Sequence, residues 1–218
     1  MIAALLWDND GVLVDTEALY FQATRELLGE AGLELNRELY REISLRQGRS
    51  CFDLALDAGL DPERVERLRL RRNDRYTDLL AAGVTVRPGI RDCLDALHGR
   101  FPMAIVTSSR LDHFEVAHSR TGLLRYFEFT LTPADYRRHK PHPDPYRTAA
   151  ERLGVAPGRC LAIEDTERGL HSAVAAGMRC LVFPHELTRD GDFSAAPRVV
   201  HSAGEIVSAI DELAAEAR

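Results

Sequence analysis

Short apolar segments of strand length alternate with amphipathic helical patterns along most of the chain. The strand candidates lie at 2–7, 103–107, 127–131, 160–163 and 180–183, with a weaker one near Val199. Helical patterns cover 89–97, 144–153, 168–176 and 204–215, and the expected helix ends carry Gly99, Gly154 and Gly177. Parallel strands need crossover connections that are usually helices. This order therefore predicts an α/β fold with a parallel sheet and helices on both of its faces.

One segment interrupts this alternation. Residues 16–86 show no convincing strand pattern, and their helical patterns cover 16–31, 38–44, 51–58 and 61–82. Asp61 before Pro62 is typical of a helix start, and Gly83 of a helix end. We interpret the arginine-dense stretch 67–75 as a solvated helix face. The predicted organisation is a discontinuous α/β core domain, residues 1–14 and 87–218, and an α-helical cap domain, residues 15–86.

Charge and composition argue against several classes of protein. The 218 residues carry a formal net charge of −6, which gives no reason to expect a nucleic-acid partner. The four cysteines form no C-x-x-C pair, so neither a zinc site nor a redox motif is indicated. The first apolar run ends at Asp8, too early for a signal peptide, and no later run has the length of a membrane span. We expect a soluble cytoplasmic protein with no membrane partner.

Two pairs of acidic residues follow predicted strands. Asp8 and Asp10 come after the first strand and, being two apart, should project together above the carboxyl edge of the sheet, while Gly11 allows a turn. Glu164 and Asp165 end another strand, which would bring all four carboxylates to this edge. Carboxylates so close together call for a cation, and Mg²⁺ prefers oxygen ligands. Each pair alone is also compatible with a polar loop or a charged helix start.

Hydroxyl groups and a lysine occupy two further loops. Thr107, Ser108 and Ser109 lie where a strand ends, and their hydroxyl and backbone N–H groups would either bind an anion or simply cap a helix. Lys140 is the single lysine among 28 basic residues and lies in a loop stiffened by prolines. Lysine offers a compact point charge where arginine offers a planar fork, which favours a function for Lys140. The alternative is one chance survivor in an arginine-rich composition.

These four elements, in this order, resemble the haloacid dehalogenase superfamily of phosphatases and phosphomutases. The sequence has D-x-D-G-V-L-V-D from Asp8, T-S-S from Thr107, K-P-x-P-D-P-Y from Lys140 and E-D-T-x-x-G-x-x-x-A-x-x-A-G-M from Glu164. The likeness spans nearly the whole chain and implies a Rossmann-like core. The helical insert resembles the small cap of the subgroup that holds β-phosphoglucomutase and phosphoglycolate phosphatase. Asn9 replaces a more usual apolar residue, and we expect its side chain to point away from the carboxylates.

The resemblance implies a role for each of these residues. Asp8 would attack phosphorus and become an aspartyl phosphate, while Asp10 would protonate the leaving alcohol and later activate water. Mg²⁺ would be the cofactor, with the ligands Asp8, Asp10 through its backbone carbonyl, Asp165 and Glu164. The phosphoryl group would be bound by Asp8, Gly11, Thr107, Ser108 and Lys140, of which Thr107 and Lys140 would also be catalytic.

Several reactions within this superfamily can be compared. Dehalogenases need no acid at the position of Asp10, and phosphonatases use a cap lysine that this sequence lacks, so phosphate monoester hydrolysis is expected. The substrate should be a small sugar or organic-acid phosphate, selected by cap residues Arg49, Arg46 and Tyr20. A sugar phosphomutase stays open, although β-phosphoglucomutase-like sequences tend to have histidine where Tyr20 stands. A catalytically silent binding protein also stays open, and we expect a monomer or weak homodimer.

Overall fold

Six parallel strands form the sheet at the centre of the molecule. The computed structural model describes residues 1–215. Its strands are β1 (Ala4–Trp7), β2 (Met103–Val106), β3 (Phe129–Leu131), β4 (Cys160–Glu164), β5 (Arg179–Val182) and β6 (Arg198–Val199). Their order across the sheet is β3-β2-β1-β4-β5-β6, and every neighbouring pair is parallel. The predicted α/β fold is confirmed.

Helices connect the strands and form the insert. In chain order they are α1 (Glu17–Glu30), α2 (Arg37–Tyr40), α3 (Asp53–Asp57), α4 (Pro62–Ala82), α5 (Ile90–Leu97), α6 (Leu111–His118), α7 (Asp144–Leu153), α8 (Glu167–Ala175) and α9 (Ala203–Ala215). Among residues 1–215, no helix has both the length and the apolar character needed to cross a membrane.

Alternate residues of the central strands pack on opposite faces of the sheet. In β1, Leu5 and Trp7 belong to the apolar cluster that includes α5 and α9, whereas Ala4 and Leu6 belong to the cluster that includes α7 and α8. All four side chains are fully buried. Because both faces are covered, the strands appear in the sequence as continuous apolar runs. All strands point the same way, so the loops that follow them meet at one edge.

Helices α1 to α4 lie between β1 and α5, and the part of the insert at residues 17–82 contains helices and no strand. They form most of an apolar cluster, which includes Phe21, Leu28, Tyr40, Phe52 and Leu68 and also contains Leu187 from outside the insert. In addition, α4 packs on α1 and contacts α6. The division into two domains at 14/15 and 86/87 stays a prediction. Residues 216–218 of the predicted core domain lie outside the described part of the chain.

Two details differ from the sequence-based expectation. The helix expected at 38–44 is split, because α2 ends at Tyr40 and a π-helical turn, Arg41–Arg46, follows. A helix start is expected near Thr107–Ser109, but helix α6 lacks a clear apolar pattern in the sequence, because two of its four buried residues are the histidines His113 and His118.

Candidate active site

The loop after β1 presents Asp8 and Asp10 at the carboxyl edge of the sheet. Gly11 in this loop has a φ of +80°, and a Cβ atom there would lie 2.3 Å from Oδ2 of Asp165. Glycine therefore allows the loops after β1 and β4 to approach each other closely. Arg87 fixes the turn, because its guanidinium donates a hydrogen bond to the Gly11 carbonyl at 2.5 Å.

Three hydroxyl groups hold the carboxylate of Asp10. Thr16 donates to Oδ1 at 2.6 Å, while Ser109 and Thr107 donate to Oδ2 at 2.7 and 3.1 Å. Thr16 directly precedes α1, so this carboxylate links the loops after β1 and β2 to the start of the helical insert. Thr107 is fully buried, whereas Ser108 lies on the wall of the cavity above the loops.

Lys140 lies beside Asp8. Its Nζ donates to Asp8 Oδ1 at 2.5 Å, to Glu164 Oε1 at 2.6 Å and to the Val106 carbonyl at 2.9 Å. These acceptors use all three N–H groups of the ammonium. Burial by itself lowers the pKa of Lys140, but the carboxylates of Asp8 and Glu164 outweigh it and raise the pKa above its ordinary value. Lys140 is thus a buried, permanently charged ammonium.

Glu164 fixes this lysine from the other side. Its Oε1 also accepts a hydrogen bond from the Tyr146 hydroxyl at 2.6 Å, and its side chain is almost fully buried. A Cβ atom at Gly169 would lie 1.9 Å from the Glu164 carboxyl carbon. Only glycine at this position therefore allows α8 to lie so close to Glu164. The shared oxygen makes Glu164 a group that orients Lys140.

The residues present fit a divalent cation. Asp8, Glu164 and Asp165 each offer one carboxylate oxygen, and these oxygens lie within 4.8 Å of one another. Burial and neighbouring carboxylates raise the pKa values of Asp8 and Asp165, although Lys140 opposes this rise. Three buried carboxylates beside one ammonium leave excess negative charge, which Mg²⁺ with its preference for oxygen ligands would offset. Both oxygens of Glu164 accept hydrogen bonds, Oε1 from Lys140 and Tyr146 and Oε2 from the Asp165 backbone N–H, whereas Asp8 accepts from Lys140 on Oδ1. Asp8 and Asp165 are therefore the more available ligands.

A cavity of about 370 Å³ opens above these loops. Its floor includes Asp8, Asp10, Lys140 and Asp165. Residues of the insert that line it include Glu17, Tyr20, Arg72 and Tyr76. The sheet edge contributes the candidate chemical groups and the insert covers them, which is an arrangement suited to a small ligand.

Of the three cap residues expected to select the substrate, Tyr20 lines this cavity. Arg46 and Arg49 are not among the residues that line it. Arg46 lies 3.4 Å from Glu167, and Arg49 lies 3.2 Å from Asp53, each with about half of its side chain exposed. Neighbouring carboxylates hold both arginines outside the cavity, so the geometry does not favour them as substrate ligands.

Arg72 lines the cavity instead, contrary to the interpretation of residues 67–75 as a purely solvated face. Its guanidinium carbon lies 4.3 Å from the centroid of the Tyr20 ring. In the part of the chain that the structure describes, Arg72 donates to Thr24 and Asn73 and forms no ion pair with a carboxylate. The sequence carried a signal, because Arg72 lies four residues from both Leu68 and Tyr76, on the buried face of α4.

The sequence predicts no role for three other residues of the site. Tyr146 belongs to the motif that begins at Lys140, which could have indicated its contact with Glu164. Glu17 is indistinguishable in the sequence from an ordinary acidic residue in the first turn of a helix. Arg168, which donates to the Lys140 carbonyl at 2.5 Å, similarly looks like a surface arginine.

The unusual Asn9 pairs with a buried histidine. Its Oδ1 lies 2.7 Å from Nε2 of His118, and Nδ1 of His118 lies 2.9 Å from the Thr121 hydroxyl. The Asn9 side chain therefore points toward α6. Its backbone carbonyl accepts the Leu13 N–H at 2.8 Å, so the same residue also shapes the loop after β1. Burial lowers the pKa of His118 to about 4.

This histidine should make stability depend on pH. The ordinary histidine pKa is 6.5 and the folded value is about 4, so the unfolded chain binds a proton more readily between these values. Stability contributed by the neutral ring is therefore lost as the pH falls. Between pH 7 and pH 4, the unfolding free energy of the wild type should fall by about 2–3 kcal/mol more than that of His118→Gln. Urea unfolding at both pH values tests this, with exposed His171→Gln as the control, and equal pH dependence of the wild type and His118→Gln would contradict it.

Comparison with known proteins gives several matches over most of the chain. Fructose-1-phosphate phosphatase YqaB of Escherichia coli (strain K12) is 33% identical over 180 residues, which cover 81% of this chain and 93% of that protein. Protein CbbY of Rhodobacter capsulatus is 32% identical over 224 residues, which cover 97% and 99% of the two chains. A crystal structure of a CbbY mutant from Rhodobacter sphaeroides with xylulose-(1,5)bisphosphate matches with a TM-score of 0.79 and 30% identity, covering 94% and 96%.

The family assignment rests on sequence and fold together. A family model described as haloacid dehalogenase-like hydrolase matches residues 2–177, well over half of the chain. The resemblance noted from the four motifs is thereby confirmed, and the chain belongs to the family of haloacid dehalogenase-like hydrolases.

Proposed function

We propose that this chain is a Mg²⁺-dependent phosphatase that hydrolyses a small sugar or organic-acid phosphate through an aspartyl phosphate. The observation that carries the proposal is the Lys140 ammonium, which bridges Asp8 and Glu164 at the floor of the cavity. In this proposal Asp8 is the carboxylate nucleophile, and the fixed positive charge beside it supports the assignment because phosphoryl transfer depends on charge neutralisation. The names of relatives support it, since one is a fructose-1-phosphate phosphatase and another a phosphorylated carbohydrates phosphatase.

Asp8 and Asp10 divide the chemistry. An oxygen of Asp8 forms a bond to phosphorus as the bond from phosphorus to the leaving oxygen breaks. Asp10 in its protonated form gives its proton to that leaving oxygen, and it then takes a proton from the water that cleaves the aspartyl phosphate. The Thr16 and Ser109 hydroxyls orient Asp10 for both transfers. Ser108, on the cavity wall, is our candidate for binding a phosphoryl oxygen.

Asp8 and Asp165 are the proposed side-chain ligands of Mg²⁺, with the Asp10 carbonyl as a third ligand. When bound, Mg²⁺ supplies positive charge that neutralises the phosphoryl oxygens. The chain itself keeps these ligands in place, because Gly11 allows the approach of Asp165 and Glu164 restrains Lys140 beside Asp8.

Two arginines of the cavity lining favour a second anionic group on the substrate. Arg72 and Arg168 line it, and neither forms an ion pair with a carboxylate within residues 1–215. Guanidinium groups bind phosphate and carboxylate well because their planar fork matches both. The relative crystallised with xylulose-(1,5)bisphosphate has two phosphates in its ligand. We infer that a sugar bisphosphate or a phosphorylated acid is hydrolysed faster here than a phosphate ester that has no second anionic group.

Removing the metal should abolish most of the activity. EDTA is expected to lower phosphate release from p-nitrophenyl phosphate by at least about 100-fold, and excess Mg²⁺ should restore it, because unneutralised phosphoryl oxygens repel the carboxylates. The same assay with fructose 1-phosphate, xylulose 1,5-bisphosphate and phosphoglycolate tests the substrate class.

Other outcomes would contradict the proposal in distinct ways. Turnover that EDTA leaves unchanged would refute metal dependence. A folded protein that releases no phosphate from any of these esters would favour a silent binding protein. Conversion of β-glucose 1-phosphate to glucose 6-phosphate faster than phosphate release would show a mutase, despite Tyr20 at the position where those enzymes tend to have histidine.

A further inference from the structure

The cavity wall contains a carboxyl group that the proposed chemistry does not use. Glu17 is the first residue of α1, directly after Thr16, which binds Asp10. It lines the same cavity as Asp8 and Asp10. Within residues 1–215, no arginine or lysine forms an ion pair with Glu17, in contrast to the neighbouring Glu26 and Glu30, which pair with arginines.

Tyr40 holds this carboxyl group from inside the insert. The Tyr40 hydroxyl donates a hydrogen bond to Oε1 of Glu17. Tyr40 itself is fully buried, and its ring packs edge-on against Phe21 with the centroids 5.0 Å apart. In the part of the chain that the structure describes, the second oxygen, Oε2, accepts no hydrogen bond. Glu17 is therefore held by Tyr40 through Oε1, and its Oε2 is available to a ligand in the cavity.

The environment of Glu17 suits hydroxyl groups better than anions. Burial raises its pKa to about 7, the Tyr40 hydrogen bond and His185 oppose this rise, and Asp165 and Asp10 add to it. Near neutral pH the group is present in both forms, so it can accept a hydrogen bond from a hydroxyl or donate one to it. A phosphate at the same place would meet a carboxyl group that no arginine or lysine within residues 1–215 neutralises by an ion pair, which is unfavourable when the carboxyl is ionised.

We propose that Glu17 is a specificity-determining residue that binds hydroxyl groups on the sugar portion of the substrate, with Tyr40 as its positioning residue. This inference rests on the proposed function and narrows it. Arg72 would bind a second anionic group and Glu17 the hydroxyl groups between the two ends. The cavity would then select phosphorylated polyhydroxy compounds over simple phosphate esters.

The test compares a sugar phosphate with an ester that lacks hydroxyl groups. Glu17→Ala should lower kcat/KM for fructose 1-phosphate and xylulose 1,5-bisphosphate by about 10–100-fold, mainly through KM, because a buried hydrogen bond to a charged group is lost. Hydrolysis of p-nitrophenyl phosphate should change by less than about 3-fold. Tyr40→Phe should show a smaller loss on the sugar phosphates alone, and Glu17→Gln should recover part of the loss.

Two matched variants control for nonspecific effects. Glu30→Ala removes an exposed carboxylate from the same helix, and Tyr126→Phe removes a buried tyrosine hydroxyl that donates to Asp95 at 2.5 Å. Both should behave like the wild type. The inference would be overturned if Glu17→Ala lowered kcat/KM equally for both classes of ester, or did not lower it at all. It would also be overturned if the wild type hydrolysed p-nitrophenyl phosphate but no sugar phosphate. The proposed function fails separately, if the wild type hydrolyses no phosphate ester.

Discussion

Replacing Asp8 with asparagine is expected to lower kcat by at least about 10⁴-fold while leaving the melting temperature equal or higher. In the wild type, Lys140 Nζ lies 2.5 Å from Asp8 Oδ1. Asparagine keeps an oxygen that can accept this hydrogen bond, but it is not a nucleophile toward phosphorus. The substitution also removes one of three buried carboxylates. Burial raises the pKa of Asp8, so its ionised form is disfavoured in the folded chain, and its loss relieves repulsion.

The measurement combines initial rates with p-nitrophenyl phosphate and thermal unfolding followed by circular dichroism. Asp15→Asn is the control, because Asp15 lies a few residues further along the same segment but is exposed. It should keep near-normal activity. Retained turnover in Asp8→Asn would refute the assignment of Asp8 as the nucleophile. Lost activity with a melting temperature lowered by 10 °C or more would instead indicate a role in folding.

The sheet and its active edge were predictable because their signals are local. Each central strand is buried on both faces, so it stands out as an apolar run, and every parallel strand delivers the residue after it to the same edge. Asp8, Thr107, Lys140 and Asp165 therefore meet as the order of strands and helices requires. Their hydrogen bonds were not predictable in detail, such as the Glu164 oxygen shared by Lys140 and Tyr146.

The cap side of the cavity was predicted less well for a physical reason. Which arginine lines the cavity depends on how α4 packs on α1 and α6, and the local pattern shows only that Arg72 lies on the apolar face of α4. Arg46 and Arg49 follow the first insert helices and looked available, yet nearby carboxylates hold them outside the cavity. Arg72 interrupts the apolar face of α4, and a polar residue at such a position is the better sequence signal for a residue that lines a cavity.

Replacing Lys140 with arginine should lower kcat by about 10²–10³-fold and also destabilise the protein. The ammonium places three N–H groups around one atom, and its acceptors lie at 2.5, 2.6 and 2.9 Å. A guanidinium spreads its N–H groups over a plane and is larger, so it cannot reproduce this geometry in a site where the side chain is 6% exposed. Overpacking of this kind costs about 1–3 kcal/mol, which corresponds to a melting temperature lower by about 3–10 °C.

Arg138→Lys provides the reciprocal control. Arg138 lies two residues from Lys140, but it is exposed and pairs with Asp144 at 2.9 Å, so exchange of one cation for the other should leave activity and melting temperature near those of the wild type. Lys140→Met should be more damaging than Lys140→Arg, because it leaves the buried carboxylates of Asp8 and Glu164 without their ammonium, a loss of about 3–5 kcal/mol. Near-normal kcat in Lys140→Arg would show that any buried cation suffices, and that the single lysine of this arginine-rich chain is a matter of composition.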